Sequence, residues 1–248
     1  MQGLERVAKL MARSGMCSRR EAERLIEAGS VEVDGERVRE QGTKCSPKAD
    51  IQIVGRGQRW IADKITVLLH KPLGVVSTQP EGNQLPAWKL LTADRYAGEV
   101  DERVRRVVDH PYYLNVAGRL DRDSQGLLVL TSDGLVVRAV TGSKTLSKVY
   151  QVTVDRHIDD TQLHDLSGEI RLDGKPLERM KIKRLGRDRL RFELKEGKRH
   201  QIRRVCRLVG LEVTELVRSQ VGPWHLGDLR EGRWKLVPQN DVAKLLAR

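Results

Sequence analysis

The segment GRLDRDSQGLLVLTSDG, Gly118 to Gly134, places the tightest constraint on how this chain can fold. A charged turn, Arg-Leu-Asp-Arg-Asp-Ser, runs at once into the apolar stretch Leu127 to Leu130, which Thr131 and a second turn at Ser132-Asp133-Gly134 then close. So short an apolar run between Gly126 and Gly134 reads as a buried strand or as the first turns of a buried segment. Asp121 therefore sits next to a packed core. A carboxylate there is either tied off by a cation or kept for chemistry.

Composition narrows the partner. The chain has 248 residues with 39% hydrophobic content, enough for one ordinary domain plus a small one. Its formal net charge is +12, and the cations are spread along the chain, which points to a polyanion and first of all to nucleic acid. There is no basic amphipathic anchor, lipidation signal, membrane-length apolar run or signal peptide, so we expect a cytoplasmic protein with no membrane partner. Cys17, Cys45 and Cys206 form an odd set without C-x-x-C spacing, which argues against a disulfide framework and against a zinc knuckle. The histidines are scattered, so no metal site is expected, and no G-x-x-x-x-G-K-[ST] is present to bind a nucleotide cofactor.

Toward the N-terminus, Val7, Leu10 and Met11 give one apolar helical face that Gly15 ends, and Ser18 has the character of an N-cap for a second helix carrying Ala22, Leu25 and Ile26. After Gly29, SVEVDGERV alternates around Asp34-Gly35 as a hairpin does. Arg6, Lys9, Arg13, Arg19, Arg20 and Arg24 crowd the two helices. This unit resembles the S4 RNA-binding domain, whose pattern SRR.A..LI..G.V.V.G is matched nearly residue for residue from Ser18 to Gly35. DIQIVG supplies a last strand, and the Gly-containing stretch up to Arg59 reads as a linker. Ile65 to Thr78 reads as a strand, a Lys71-Pro-Leu-Gly turn and a second short apolar strand. Gln79 to Ala117 is harder to read: it holds an Ala/Trp/Leu helix candidate and the charged GEVDERVRRVVDHPYY, and we expect an exposed loop there rather than an added RNA contact.

Two further pieces join the Asp121 turn. LSKVYQVTV, Leu146 to Val154, alternates like a half-buried strand. LKEGKRHQIRRVCRLVGLEV, Leu194 to Val213, is a turn with the cations Lys198, Arg199, His200, Arg203, Arg204 and Arg207, leading into a helix with apolar Ile202, Val205, Leu208 and Val209. Such a cluster could grip phosphates. The three pieces resemble the RsuA-type family of pseudouridine synthases, which modify uridines in ribosomal RNA: GRLDRDSQGL matches G-R-L-D-x-x-[ST]-x-G-L, KVYQV matches K-x-Y-x-V, and EGKRHQIRRV matches G-x-x-x-Q-I-R-R. HKPLGVVST and VGPWHLGDLREGRWKLV match the flanking segments, so the resemblance runs in order along nearly the whole chain.

The resemblance implies an α+β protein. A small N-terminal α/β S4 domain, residues 1–60, would sit on a flexible linker, followed by a mixed α+β catalytic domain, residues 61–248, with a central antiparallel sheet. It implies a monomer acting on ribosomal RNA, large-subunit 23S over 16S. Asp121 would be the catalytic aspartate, with Tyr150 against the base and Arg203 paired to Asp121. Ile202 would pack beside that tyrosine, Arg119 would help hold the flipped nucleotide, and Lys148, Lys198, Arg199, Gln201, Arg204 and Lys71 would contribute RNA contacts, as would Arg6, Arg19 and Arg20 of the S4 unit. The isomerisation involves no redox change and so requires no cofactor. A carboxylate suits glycosidic-bond chemistry, and a guanidinium beside it favours its charged form. With nine Phe, Trp and Tyr residues in all, a tyrosine placed within KVYQV carries weight. Cys206 reads as core rather than nucleophile. A non-catalytic S4-type RNA-binding or ribosome-assembly protein is the alternative, and the presence of Asp121, Tyr150 and Arg203 argues against it.

Overall fold

The computed structural model describes residues 3–142 and 146–247. The N-terminal unit comprises β1 (Glu5–Arg6), α1 (Val7–Arg13), α2 (Arg19–Glu27), β2 (Val31–Val33), β3 (Glu36–Val38), β4 (Lys44–Cys45) and β5 (Ile51–Ile53). Ser18 does cap α2, in a capping box whose return bond comes from Glu21. The hairpin turn places Asp34 and Gly35 at positive φ, the backbone a tight β2–β3 turn demands. Val7, Met11, Ala22, Leu25 and Ile26 pack over a sheet of order β3-β2-β5.

The stretch expected to be a flexible linker contains a helix, α3 (Arg56–Ala62), packed on that unit. A Cβ at Gly57 would stand 2.8 Å from both Ile53 and Ser30, so α3 lies flush against the N-terminal core.

The larger unit continues with β6 (Thr66–Lys71), α4 (Glu102–Asp109), β7 (Asn115–Ala117), β8 (Gln125–Thr131), α5 (Gly134–Gly142), β9 (Lys148–Val154) and α6 (Asp160–Ser167). Then come β10 (Arg171–Leu172), β11 (Lys175–Pro176), β12 (Lys181–Arg184), β13 (Arg189–Leu194), α7 (Gln201–Leu208), β14 (Val213–Val221), β15 (Trp224–His225), β16 (Trp234–Leu236) and α8 (Gln239–Leu246). Among the described residues these strands build a nine-stranded sheet of order β12-β13-β9-β14-β8-β6-β16, with β7 on β8 and β15 on β14.

The sheet is mixed: every pairing is antiparallel except β14 with β8, which run parallel. Between those two strands the chain passes through α5, β9 and α7 and returns in its original direction, a crossover that a hairpin cannot make.

The apolar run is explained by its position. Leu128 and Leu130 of β8 face one core, Leu127 and Val129 the other, and a strand covered on both faces has no polar side to show. Each such fully buried leucine stabilises the fold by about 1.5–3 kcal/mol. α5 and α8 cover one face, while α4, α6 and α7 cover the other. Residues 79–117 are not a loose loop. Ala87, Leu90, Leu91, Val104 and Val107 are buried against the sheet, and Trp234 donates its indole N–H to the Thr92 carbonyl at 2.8 Å. The expected strand after the Lys-Pro-Leu-Gly turn is reduced to one bridge, Val76 with Pro86.

Candidate active site

The turn that carries Asp121 joins β7 to β8, and its backbone is held at nearly every residue. Gly118 takes φ +78°, which redirects the chain out of β7, a conformation other residues adopt only with strain. Arg218 of β14, 1% exposed, spreads its guanidinium beneath the turn: Nη2 donates to the Gly118 carbonyl at 2.8 Å, Nη1 to Arg119 at 3.3 Å and Nε to Leu127 at 2.8 Å. Ser77 clamps Leu120 from both sides, donating to its carbonyl at 2.5 Å and accepting from its amide at 2.9 Å. The Gly74 amide donates to Arg122 at 2.9 Å, and Arg203 Nη2 donates to the Asp123 carbonyl at 2.5 Å. Leu120 points into the core, so Asp121, the next residue, points out. Its carboxylate opens onto the cleft, with the side chain 41% exposed and His200 Nε2 3.5 Å from Oδ1.

A cleft of about 790 Å³ opens at this point, walled by β9, β14, the turn before α7, and the end of α5. Tyr150 lies on β9 directly opposite Arg218 of β14 and Phe192 of β13. The ladder shifts register just after Arg218, and such bulges often re-aim side chains beside a site. Gly126, opposite Arg218 on the other side, must be glycine: a Cβ there would stand 2.4 Å from the Arg218 carbonyl oxygen. His200 starts α7 in the left-handed conformation, φ +52°, which turns the chain from the cationic loop into the helix.

Of the site residues that the family resemblance implies, eight line this cleft: Arg119, Asp121, Lys148, Tyr150, Lys198, Arg199, Gln201 and Ile202. Lys148 is nearly buried, and burial, assisted by the neighbouring Arg218 charge, pushes its ammonium below the ordinary lysine range. Gln201 is engaged in shaping the loop, accepting from the Lys198 amide at 2.8 Å and donating to Glu196 at 3.0 Å.

The others lie elsewhere. Arg203 pairs not with Asp121 but with Asp123, Nε to carboxylate 3.0 Å, and also donates to the Val213 carbonyl at 2.8 Å. The reason is register. Arg203 projects from α7 toward the far end of the turn and faces a second groove, of about 770 Å³, that shares Arg119, Leu120, Asp121 and His200 with the first. Arg204 is held by Asp173 at 2.6 Å and Arg207 by Glu212 at 2.8 Å, so the cationic cluster is partly spent on carboxylates. Lys71 has no exposed surface. Its ammonium donates to the carbonyls of Pro72 and Val75 at 2.8 and 2.7 Å, and burial lowers its pKa to about 8 against the pull of Asp123 and Asp121. It shapes the loop that supports the Asp121 turn. Arg6, Arg19 and Arg20 are exposed on the N-terminal unit and do not line the cleft. Cys206 is buried and its thiol pushed up to about 12, which suits packing.

Arg218 is the residue that sequence reasoning missed. Its signal was present but quiet, a cation in VTELVRSQV at the inward phase of Leu216 on an otherwise apolar-in strand.

Residues 65–208 match the RNA pseudouridylate synthase family, and residues 5–51 match the S4 domain. The chain belongs to the RNA pseudouridylate synthase family. This pseudouridine synthase is 31% identical, over 97% of its length and 78% of the relative's, to the dual-specificity RNA pseudouridine synthase RluF of Salmonella typhi. It is 30% identical to an uncharacterized RNA pseudouridine synthase of Aquifex aeolicus, over 97% of its own length and 95% of that protein's. A crystal structure of a pseudouridylate synthase shares its fold, with a TM-score of 0.63, 24% identity and coverage of 97% and 99% of the two chains.

Proposed function

We propose that this enzyme isomerises a specific uridine of ribosomal RNA, in the large subunit, with Asp121 as the catalytic carboxylate. One observation carries the reading. Among the described residues lining the cleft, Asp121 is the single acid, surrounded by Arg119, Lys148, Lys198, Arg199, His200 and Arg218. The solvent-accessible part of that basic lining, Arg119, Lys198, Arg199 and His200, attracts an RNA strand, and a lone carboxylate on a clamped turn suits action on what that strand presents.

The reaction breaks the bond between uracil N1 and the ribose carbon, turns the base, and joins C5 to the same carbon. Asp121 either attacks that carbon or takes a proton from the sugar. The uridine must leave any helical stack to reach the cleft, and Arg119 holds the flipped nucleotide. Tyr150, 9% exposed and lining the cleft with Ile202, supplies a face against which the detached base turns, and in this reading its hydroxyl handles the C5 proton. Arg218 is not a contact of the base in this reading; it keeps the Asp121 turn in place. The choice of the large subunit rests on the DRDSQGL sequence that begins at Asp121. No helix among the described residues is long and apolar enough to cross a membrane, and we place the enzyme with its RNA in the cytoplasm.

The test is to express the chain with transcripts of both ribosomal RNAs and map pseudouridine by chemical modification and primer extension. A single stop that the wild type produces and Asp121→Asn does not is the expected result. Turnover by Asp121→Asn near the wild-type rate would overturn the catalytic assignment.

A further inference from the structure

The junction between the two units contains three charged side chains removed from water. Lys64 opens the second unit, and its ammonium lies 3.0 Å from Glu21 of α2 and 3.2 Å from Asp133, which precedes α5. Their side chains are 7%, 6% and 11% exposed. Glu21 serves both units at once. One oxygen closes the α2 capping box, accepting from the Ser18 amide at 2.6 Å, while the other accepts from the Gly134 amide at 3.0 Å and so caps α5. Two helix N-termini thus converge on one carboxylate, an arrangement that their dipoles favour. Burial alone would raise the Glu21 pKa, but the hydrogen bonds from Ser18 and Gly134, with Lys64, hold it below the ordinary value.

The fit is close. A Cβ at Gly134 would stand 2.2 Å from Ser18 Oγ, so the two helix starts meet in a way that only glycine at this position allows. A second attachment lies one turn along α5, where Arg138 Nη1 donates to the Ala12 carbonyl at 3.2 Å.

The other end of α5 is at the catalytic cleft. Val140 and Thr141 line it, whereas Arg19 and Arg20 stand exposed at the α2 start that Glu21 joins to α5. Nine residues of helix make a spacer of about 13 Å. A buried ion network whose members pair with one another and with backbone amides tolerates few alternative geometries, since moving one member strands the others without water.

We propose that Glu21, Lys64 and Asp133 are positioning residues that lock the S4 unit at a set distance from Asp121, so that α5 acts as a ruler. RNA gripped by Arg19 and Arg20 then presents only the uridine at the matching distance. This selection rests on the rRNA reading above, but the lock itself does not.

The test compares wild type with Lys64→Met, Lys64→Arg and Gly134→Ala. The last wedges α2 from α5 while leaving every charge in place, so it remains informative if Lys64→Met folds poorly. Small-angle scattering of the full chain reads the docking. Pseudouridine mapping on transcripts of both ribosomal RNAs reads the selection. Lys64→Met and Gly134→Ala are expected to scatter as separated units and to lose discrimination between the target and flanking uridines by about tenfold, while total turnover at saturating RNA stays within about threefold. Lys64→Arg, which keeps the charge, is expected to recover selectivity.

Two results would overturn the proposal. One is wild-type scattering by Lys64→Met and Gly134→Ala; the other is separated units that still modify a single uridine. A wild type that modifies no ribosomal RNA would remove the ruler together with the rRNA reading, and scattering would still report separately whether the triad holds the units together.

Discussion

The domain junction and the catalytic cleft each gather acids and bases in one place, and they treat them in opposite ways. At the junction the side chains are consumed: Glu21, Lys64 and Asp133 satisfy one another and two helix starts, away from water. At the cleft the backbone is consumed instead. Arg218, Ser77, Gly74 and Arg203 hold the carbonyls and amides around Asp121, and the carboxylate itself stays open to the cleft. A carboxylate engaged by a cation and by helix-start amides makes a rigid joint. One whose scaffold is rigid but whose oxygens face the open cleft, with only His200 near one of them, is ready to react.

This contrast can be broken by experiment, and the largest effect should be at the cleft. Asp121→Asn is expected to lower turnover by at least about 10⁴-fold while changing urea-unfolding stability by less than about 0.5 kcal/mol, because that carboxylate is exposed and its contact with His200 is open to solvent. Lys64→Ala should do the reverse, costing about 3–5 kcal/mol by urea denaturation because two buried carboxylates lose their cation. Equal stability of the two variants would erase the distinction.

Arg218→Met sharpens it, since this buried residue holds the cleft by acting on the backbone. It should cost about 2–4 kcal/mol and lower kcat together, as the carbonyls of Gly118, Arg119 and Leu127 lose their donor. Loss of stability with unchanged kcat would show that the turn does not need that support.

A smaller effect concerns acid. The Glu21 pKa is lowered in the fold, so its contribution is fully present above its unfolded value of about 4.3 and is lost as the pH falls through the folded value. Glu21→Gln should therefore show a shallower loss of stability below that pH, measured by urea titration at a series of pH values. Smallest of all, Arg204→Ala should shift stability by less than about 0.5 kcal/mol, because its pair with Asp173 is largely solvent-screened.

Much of this molecule was readable residue by residue, wherever the cause is local. Ser18 caps α2 through its own Oγ, Asp34-Gly35 turns a hairpin because of what those residues can adopt, and Leu127 to Leu130 form a strand between two turns. The motif around Asp121 likewise placed that residue beside Tyr150, Lys148 and the loop before α7. What sequence could not supply was the choice of partner among like groups. Arg203 and Arg218 are both arginines near the right segments, yet one spends itself on Asp123 and the other holds the Asp121 turn. The glycine-rich stretch after Lys44 suggested a loose tether, whereas Glu21, Lys64 and Asp133 meet across more than a hundred residues of chain to fasten the units. Periodicity and turn chemistry act over a few residues, so the sequence by itself determined the elements and the candidate aspartate. Which charges touch depends on strand register and helix docking to within an ångström or two, and only the folded structure decides that.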